Sequence, residues 1–446
     1  MIRGERANAR FQTGLLFGWA LLLVFSFGCS GLPGAPLASR SVRGTGTAGY
    51  SIADGAAQGV VMTVRPGANA DQIALDHGGT VVAVVPELGL YRISLPLGDD
   101  VVRCAQALQV DNRVSAAEVN GLATIVEGQQ SSVAFSEGNH SWSDVHDQGA
   151  LLRVGAGRAQ AAANGNGVIV AILDTGISLD HPALAAHLAL PGIEPGVNVA
   201  AGAERAEHVD SNHDGILDGA LGHGTHVAGI VLALAPGARL LPVRVLDSDG
   251  VGTAFDVALG IVRATQRGAQ VINMSLGMNA PSGAVLAAVR YARAQGAVVV
   301  APTGNDHLGT VLFPASIPEV VAVAGLDPFD QHASFTNFGP GTDLSAPSVG
   351  ILSTYYGGGY ARWSGTSMAA PFVSGTAALL YGLMLPRVAG APSQVEDLLS
   401  RGAFALTGVD PVFSSALGAG RLDAAASLNA LLRAGANAEG LLQRVK

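Results

Sequence analysis

Charge, cysteine and basic runs are scarce in this chain of 446 residues. Charged side chains make up 13% of it and the formal net charge is −9, whereas an average globular protein has about 25% charged residues. A nucleic-acid-binding surface is typically basic, and no long run of Lys or Arg occurs here, so no nucleic-acid partner is predicted. The two cysteines, Cys29 and Cys104, are too few for a disulfide framework. The fold must therefore depend on packing of its core.

Glycine and apolar residues are abundant instead. Glycine occupies 60 of the 446 positions, roughly twice its usual share of about 7%. Apolar residues make up 49% of the chain, which is enough for a large core and argues against a disordered protein. This mixture is typical of an enzyme with many tight turns, and the length predicts two or three structural units.

The N-terminus has the pattern of an export signal. Arg3, Arg6 and Arg10 precede an uncharged, apolar segment at residues 14–28, which is shorter than the roughly 20 residues of a membrane-spanning helix. Residues 1–29 are therefore predicted to be a bacterial-type signal peptide, followed by a linker at 30–56. Two interpretations stay open: cleavage and lipidation at Cys29, or ordinary cleavage after Ala38. Both place the protein outside the cytoplasm, and only the lipid on Cys29 would attach it to a membrane.

The next unit, residues 57–126, is predicted to be a small α+β domain. Its apolar periodicity gives the order β-α-β-β-α-β, the split βαβ arrangement of ferredoxin-like domains. The predicted elements are strands at Val60–Val64, Thr80–Val85, Gly89–Leu95 and Val114–Val119, with helices at Ala70–Asp76 and Asp100–Gln109. Residues 127–149 are polar and are predicted to be an exposed connector that contains a processing site.

The largest unit, residues 150–430, is predicted to be an α/β domain with a parallel sheet flanked by helices. The continuous apolar runs Val168–Leu173 and Val298–Ala301 are typical of strands that are buried on both faces. Helical periodicity appears between them, at Ala254–Gln266 and Gly283–Ala294. Residues 431–446 are predicted to be a C-terminal tail.

Three short segments carry chemistry. Asp174 ends the first apolar strand, in DTGI (174–177); His223 lies in GHGTH (222–226); Ser367 lies in GTSMAAP (365–371). Taken singly, each residue has an ordinary structural interpretation, such as a helix cap. Together they supply a nucleophile, a base and an orienting carboxylate. They occur in the chain order Asp, His, Ser, which differs from the order in two other groups of serine hydrolases.

Over residues 148–425 these motifs resemble the subtilisin-like serine peptidases. The resemblance implies that Ser367 is the nucleophile, His223 the general base and Asp174 its orienting residue, while His226 has a structural role. It also implies that Asn305 donates to the oxyanion. This residue lies in TGND (303–306), which follows an apolar strand. The implied substrate-binding residues are Ser275, Leu276 and Gly277 in one segment, and Pro302, Thr303 and Gly304 in another.

The acidic loop DSNHDGILD (210–218) is a candidate calcium site. Asp210, Asn212, Asp214 and Asp218 place oxygen atoms at spacings used by short calcium loops, and Gly215 allows a sharp turn. The EF-hand's closing Glu is absent, since Leu221 stands in its place. Structural calcium and a solvated acidic loop both stay open, and no cofactor is expected for the chemistry itself.

The resemblance extends to the function of the small unit. A pro-domain at this position would assist folding of the peptidase domain and then inhibit it, whereas an accessory domain would remain attached. The sequence thus predicts an exported serine endopeptidase, made as a self-processing zymogen, with polypeptides as substrates and its own pro-domain as intramolecular inhibitor. The alternative is a catalytically silent subtilisin-like module used for binding or as a scaffold.

Overall fold

The computed structural model describes residues 59–127, 139–189, 202–384, 391–409 and 411–433. The predicted signal peptide, the linker at 30–56, Cys29 and most of the tail at 431–446 lie outside the described residues. The described strands are β1 Val60–Val64, β2 Thr80–Val85, β3 Leu90–Ser94, β4 Val114–Val119, β5 Leu122–Thr124, β6 Ile169–Asp174, β7 Arg239–Arg244, β8 Val251–Thr253, β9 Val271–Met274, β10 Val298–Pro302, β11 Val321–Leu326, β12 Leu344–Pro347, β13 Ile351–Thr354 and β14 Tyr360–Trp363.

Helices alternate with these strands in the second half of the chain. The described helices are α1 Ala70–Asp76, α2 Val101–Gln109, α3 Trp142–Asp147, α4 Gly149–Arg153, α5 Ala156–Gln160, α6 His223–Leu234, α7 Ala254–Gln266, α8 Gly283–Ala294, α9 Thr366–Met384, α10 Ala391–Gly402 and α11 Pro411–Ser414. Short 3₁₀ turns lie at Pro86–Leu88, Ala185–His187 and Tyr356–Gly358. The element order therefore confirms an α/β domain preceded by a small α+β unit.

The small unit has the predicted β-α-β-β-α-β order. Its antiparallel sheet has the strand order β2-β3-β1-β4. Side chains alternate along β1: Val60 and Met62 belong to a cluster that includes residues of α1 and α2, whereas Val61 belongs to a cluster with α7 and α8. One face of this sheet is thus covered by its own helices and the other by helices of the large domain.

The large domain is built on a six-stranded parallel sheet with the order β12-β11-β10-β9-β6-β7. Its central strands are apolar, apart from Asn273 on β9 and the last residue of β6, Asp174, because both faces are covered. On β6, Val170 and Ile172 pack with α6 and α9, while Ala171 and Leu173 pack with α7 and α8. The strands at this centre all end at one edge of the sheet, where polar residues follow them.

Within the connector predicted at 127–149, Ser141, Asp144 and Asp147 are exposed, but other described side chains are buried. Val145, on α3, is buried in the core beside α6 and α9, and Trp142 packs against the same cluster. Ser141 begins α3 with a capping box formed with Asp144. Glu127 is also buried, because catalytic groups bind its carboxylate as described below.

Helix α9 is long and apolar enough to cross a membrane, judged by length and composition alone. Of its most apolar stretch of 18 residues, 83% is buried inside the described part of the chain. A buried apolar helix of this kind is the expected core helix of an α/β domain. In this fold it carries Ser367 near its first turn.

Candidate active site

The Asp174–His223 pair lies at the C-terminal edge of the parallel sheet. Asp174 is the last residue of β6, and His223 is the first residue of α6. The Nδ1 atom of His223 donates a hydrogen bond of 2.7 Å to Oδ1 of Asp174, and both side chains are fully buried. Gly222, whose φ is +95°, allows the chain to turn into α6 directly before the histidine.

Ser367 is brought to the same place by α9. Its hydroxyl lies 3.3 Å from the carbonyl oxygen of Ser275, and the hydroxyl of Ser275 donates to the Ser367 carbonyl at 2.9 Å. These bonds fix the start of α9 against the end of β9. Gly365 has a φ of +154° two residues earlier, a conformation that other residues rarely adopt.

Asn305 is oriented by the residue that precedes the serine. Its Oδ1 accepts hydrogen bonds from the backbone N–H and the hydroxyl of Thr366, at 2.9 and 2.7 Å. The amide nitrogen Nδ2 of Asn305 and the backbone N–H of Ser367 are the two donors that remain. Both donors reach the same oxygen, Oε1 of Glu127, at 3.2 and 3.3 Å. The structure therefore brings the four predicted catalytic residues together.

Glu127 is the active-site residue that the sequence analysis missed. Its second oxygen, Oε2, accepts from Nε2 of His223 at 3.0 Å and from the Ser367 hydroxyl at 2.8 Å. The carboxylate thus contacts the base, the nucleophile and both donors of the oxyanion position. The only local signal was a charged residue directly after the apolar pair Ile125–Val126.

The protonation of His223 follows from these contacts. Burial lowers the pKa of this imidazole, but the charges of Asp174 and Glu127, and the hydrogen bonds to both, raise it to about 10. Both ring nitrogens then donate, one to each carboxylate. An imidazolium cannot accept the serine proton, so the arrangement with Glu127 in place is not competent for base catalysis. His226, one turn later, has a pKa lowered to about 3 by burial, as expected for a packed structural residue.

A segment of the same chain fills the cleft beside these residues. Strand β5 pairs antiparallel with β8, and Thr124 exchanges two backbone hydrogen bonds of 2.9 and 2.8 Å with Gly277. The N–H of Ile125 donates to the carbonyl of Gly250 at 3.0 Å. Residues 122–125 are therefore an extended strand held between two segments of the large domain, at Gly277 and at Gly250–Thr253. This is the geometry of strand addition. The Gly250–Thr253 edge was not predicted from the sequence.

The predicted substrate-binding residues divide into two groups. Gly277 borders the cleft, since a Cβ there would lie 2.7 Å from Cγ1 of Val126, whereas a Cβ on Gly304 would lie 2.5 Å from Nδ2 of Asn337. Pro302 and Thr303 are buried, with the Thr303 hydroxyl donating to the Asn337 carbonyl at 2.8 Å. Leu276 is also buried in the core. Glycine at the border leaves room for the Val126 side chain.

The acidic loop uses its oxygens in local hydrogen bonds. Asp210, Asn212 and Asp214 accept backbone N–H groups from residues 214–216. Asp218 instead accepts from the backbone of residues 207–209 and from the Ser248 hydroxyl. Among the described residues no group of three or more His, Cys, Asp or Glu could hold a metal ion. Calcium binding by these four residues therefore stays a prediction.

Comparison with known proteins gives two family matches. The model of the subtilase family matches residues 165–420, and that of the fervidolysin N-terminal prodomain matches residues 60–120. A thermophilic serine proteinase from Bacillus sp. (strain AK1) is 41% identical over 226 residues, covering 48% of this chain and 52% of that protein. Subtilisin Savinase from Lederbergia lenta is 39% identical over 241 residues, covering 51% of this chain and 82% of that protein.

Among solved structures, fervidolysin from Fervidobacterium pennivorans is similar to this chain. It is described as a keratinolytic enzyme related to subtilisin. The alignment has a TM-score of 0.67 and 25% sequence identity, and it covers 83% of this chain and 61% of that chain. The present chain therefore spans about half the length of the thermophilic proteinase and under two thirds of fervidolysin.

Proposed function

This chain belongs to the subtilase family, and from that premise we propose that it is a serine endopeptidase that hydrolyses polypeptides through an acyl-enzyme on Ser367. One observation carries the proposal. The Asn305 amide and the Ser367 backbone N–H converge on one oxygen atom of Glu127, while the Ser367 hydroxyl and Nε2 of His223 meet at its other oxygen. A tetrahedral intermediate needs such a pair of donors at its oxyanion.

The proposed reaction follows from the positions of these groups. With Glu127 withdrawn, Nε2 of His223 accepts the Ser367 proton as the hydroxyl attacks the carbonyl carbon, and it later gives that proton to the leaving amine. Asp174 holds the Nδ1–H tautomer and stabilises the charged ring. Asn305 and the Ser367 N–H stabilise the oxyanion, and removing one such donor typically costs about 10²–10³ in kcat. Water then hydrolyses the acyl-enzyme.

The precursor is proposed to inhibit and then process itself. Thr124 exchanges both of its backbone hydrogen bonds with Gly277, and Val126 lies two residues further toward Ser367, with its side chain at the glycine border. The first peptide bond to be cut is therefore the one between Val126 and Glu127. Before that cut, the Glu127 carboxylate occupies the position of the oxyanion and keeps His223 charged.

The test compares the wild-type chain with Ser367→Ala, by intact mass over time. We expect the wild type to yield a fragment that begins at Glu127 and to gain Ser367-dependent peptidase activity, while the variant stays whole. A folded wild-type protein that neither shortens nor cleaves peptides, even after another protease nicks it in residues 128–138, would refute the proposal.

Export and calcium are separate proposals that depend on sequence alone. Residues 1–29 would direct export, and mass analysis of the exported protein would distinguish an acylated Cys29 from a cut after Ala38. For calcium, the proposal is that the loop rearranges to bind the ion through Asp210, Asn212, Asp214 and Asp218. Calcium should then raise the melting temperature of the wild type but not that of Asp214→Asn. Equal melting temperatures in calcium and in chelator would exclude the site.

A further inference from the structure

A buried carboxylate that the catalytic steps do not use lies behind the Asp174–His223 pair. Glu204 is 6% exposed. Its Oε1 accepts from the Thr175 hydroxyl at 2.6 Å and from the Gly222 backbone N–H at 2.7 Å, and its Oε2 accepts from the Thr225 hydroxyl. None of these three partners is a cation, which is unusual for a buried carboxylate.

The three donors belong to the two segments that carry the catalytic pair. Thr175 follows Asp174 at the end of β6, while Gly222 and Thr225 flank His223 at the start of α6. Each hydroxyl also accepts a backbone N–H from the other segment: Thr175 from Gly224 at 3.0 Å, and Thr225 from Ser178 at 2.8 Å. Because a hydroxyl has a single proton, giving it to Glu204 leaves a lone pair aimed at each amide.

We propose that Glu204 is a positioning residue that holds β6 and α6 in the register required for the bond between Asp174 and His223. The inference rests on the proposed peptidase function and adds a residue to it. Glu204 touches neither the substrate strand nor the reacting atoms. It acts through the hydroxyls of Thr175 and Thr225 and through the Gly222 N–H, which also places a negative charge at the N-terminus of α6.

Only the ionised carboxylate fits this role. Three donors point at two oxygens, and a protonated acid or a glutamine would place a donor against one of them. Burial raises the pKa of Glu204 to about 7, with a further contribution from the charge of Asp174. The positioning is therefore expected to weaken as the pH falls through about 7.

Among the residues that the structure describes, the other charged or titratable groups around Glu204 are few. Tyr355 packs against Gly222, and its own pKa is raised by burial and by the charge of Glu204. Arg244 donates to the Thr175 carbonyl at 3.0 Å but is paired with Glu207 on the same segment as Glu204. His223, on α6, carries the opposite charge to Glu204 when its ring is protonated. These neighbours set the environment in which the carboxyl titrates.

The first test measures kcat and KM against pH for the processed wild type, Glu204→Gln, Glu204→Asp and the control Glu319→Gln, since Glu319 pairs with Arg290 and not with the groups around Glu204. For Glu204→Gln we expect kcat to fall by about tenfold to a hundredfold, as for a small displacement of catalytic groups, with little change in KM. In this variant the acid limb of the kcat profile should lose the ionisation of Glu204 and keep that of His223. Glu204→Asp should keep both ionisations, and Glu319→Gln should keep the wild-type profile.

The second test needs no catalysis and uses the full chain with Ser367→Ala. The Nδ1 proton of His223 is followed by NMR, and we expect its resonance to shift or broaden in Glu204→Gln but not in Glu319→Gln. An unchanged resonance together with an unchanged pH profile, even at a lower melting temperature, would overturn the positioning role. If wild type shows no Ser367-dependent hydrolysis, the proposed function fails, and the NMR measurement still decides whether Glu204 positions the Asp174–His223 pair.

Discussion

At the scale of single residues, the Glu127 carboxylate makes the contacts that a reacting substrate would make. One oxygen lies where the oxyanion of the intermediate would form, and the other separates the base from the nucleophile. The charge of Glu127 matters as much as its shape, because it is one of two carboxylates that stabilise the imidazolium.

Replacing Glu127 by glutamine should therefore accelerate the first cut. The amide keeps the size of the side chain but removes the negative charge, so the pKa of His223 falls and more of the base is neutral at pH 7. The half-life of the intact precursor, measured by mass, should shorten severalfold relative to wild type. Glu87→Gln is the control, since Glu87 contacts Gln266 on α7 and not the catalytic groups. A half-life unchanged in Glu127→Gln would count against the inhibitory role.

The stability of the uncut precursor should also depend on pH through His223. Its pKa in the folded chain, about 10, exceeds the ordinary value of 6.5. The folded state therefore binds the extra proton more tightly, and this contribution is fully present below pH 6.5 and is lost as the pH rises through 10. Urea unfolding of the Ser367→Ala chain should show falling stability over this window. Adding Glu127→Gln should flatten the slope, and equal slopes would contradict this reading.

At the scale of elements, the small unit is bound to the large domain through helix N-termini. The Glu118 carboxylate accepts from the Ser282 hydroxyl and from the backbone N–H groups of Gly283 and Ala284 at the start of α8. Asn120 accepts from the Phe255 N–H at the start of α7. These acceptors satisfy backbone groups that a helix leaves unpaired.

Removing the Glu118 contact should loosen this docking. Glu118→Ala deletes a charged cap on α8, a change that typically costs about 1 kcal/mol. In the Ser367→Ala chain we expect a lower melting temperature and faster proteolysis at residues 128–138 by an added protease. Glu118→Gln should lose less because its oxygen still accepts one bond. If Glu118→Ala and Glu118→Gln behaved like the parent, the cap would contribute nothing to docking.

The elements that could be predicted from sequence are those with a local signal. Helices α7 and α8 were predicted with the bounds that the structure has, because their periodicity and N-caps are visible in the sequence. The sequence motifs also found Asp174, His223, Asn305 and Ser367. By contrast, β5 and β8 have three residues each. They form strands by pairing with each other in the cleft, which is a long-range contact. Burial of Glu127 and Glu204 depends on partners distant in the chain, which no local pattern records.

At the scale of the whole molecule, the two described units meet through a sheet face, two helix ends and one strand. The face of the small sheet that carries Val61 packs in the same cluster as α7 and α8. The strand at 122–125 then continues directly from the small sheet into the cleft. The proposed inhibition and processing would thus both depend on a single continuous path of chain.

That path has a kinetic consequence. Because strand β5 lies in the cleft of its own molecule, no encounter between two molecules precedes the first cut, and the effective concentration of the bond is set by the fold. Diluting freshly folded precursor should leave the half-life of the first cut unchanged, whereas cuts made by one molecule in another should slow in proportion. A half-life that lengthens on dilution would mean that processing occurs in trans. If it does not lengthen, the delay between folding and activity is the same at every protein concentration.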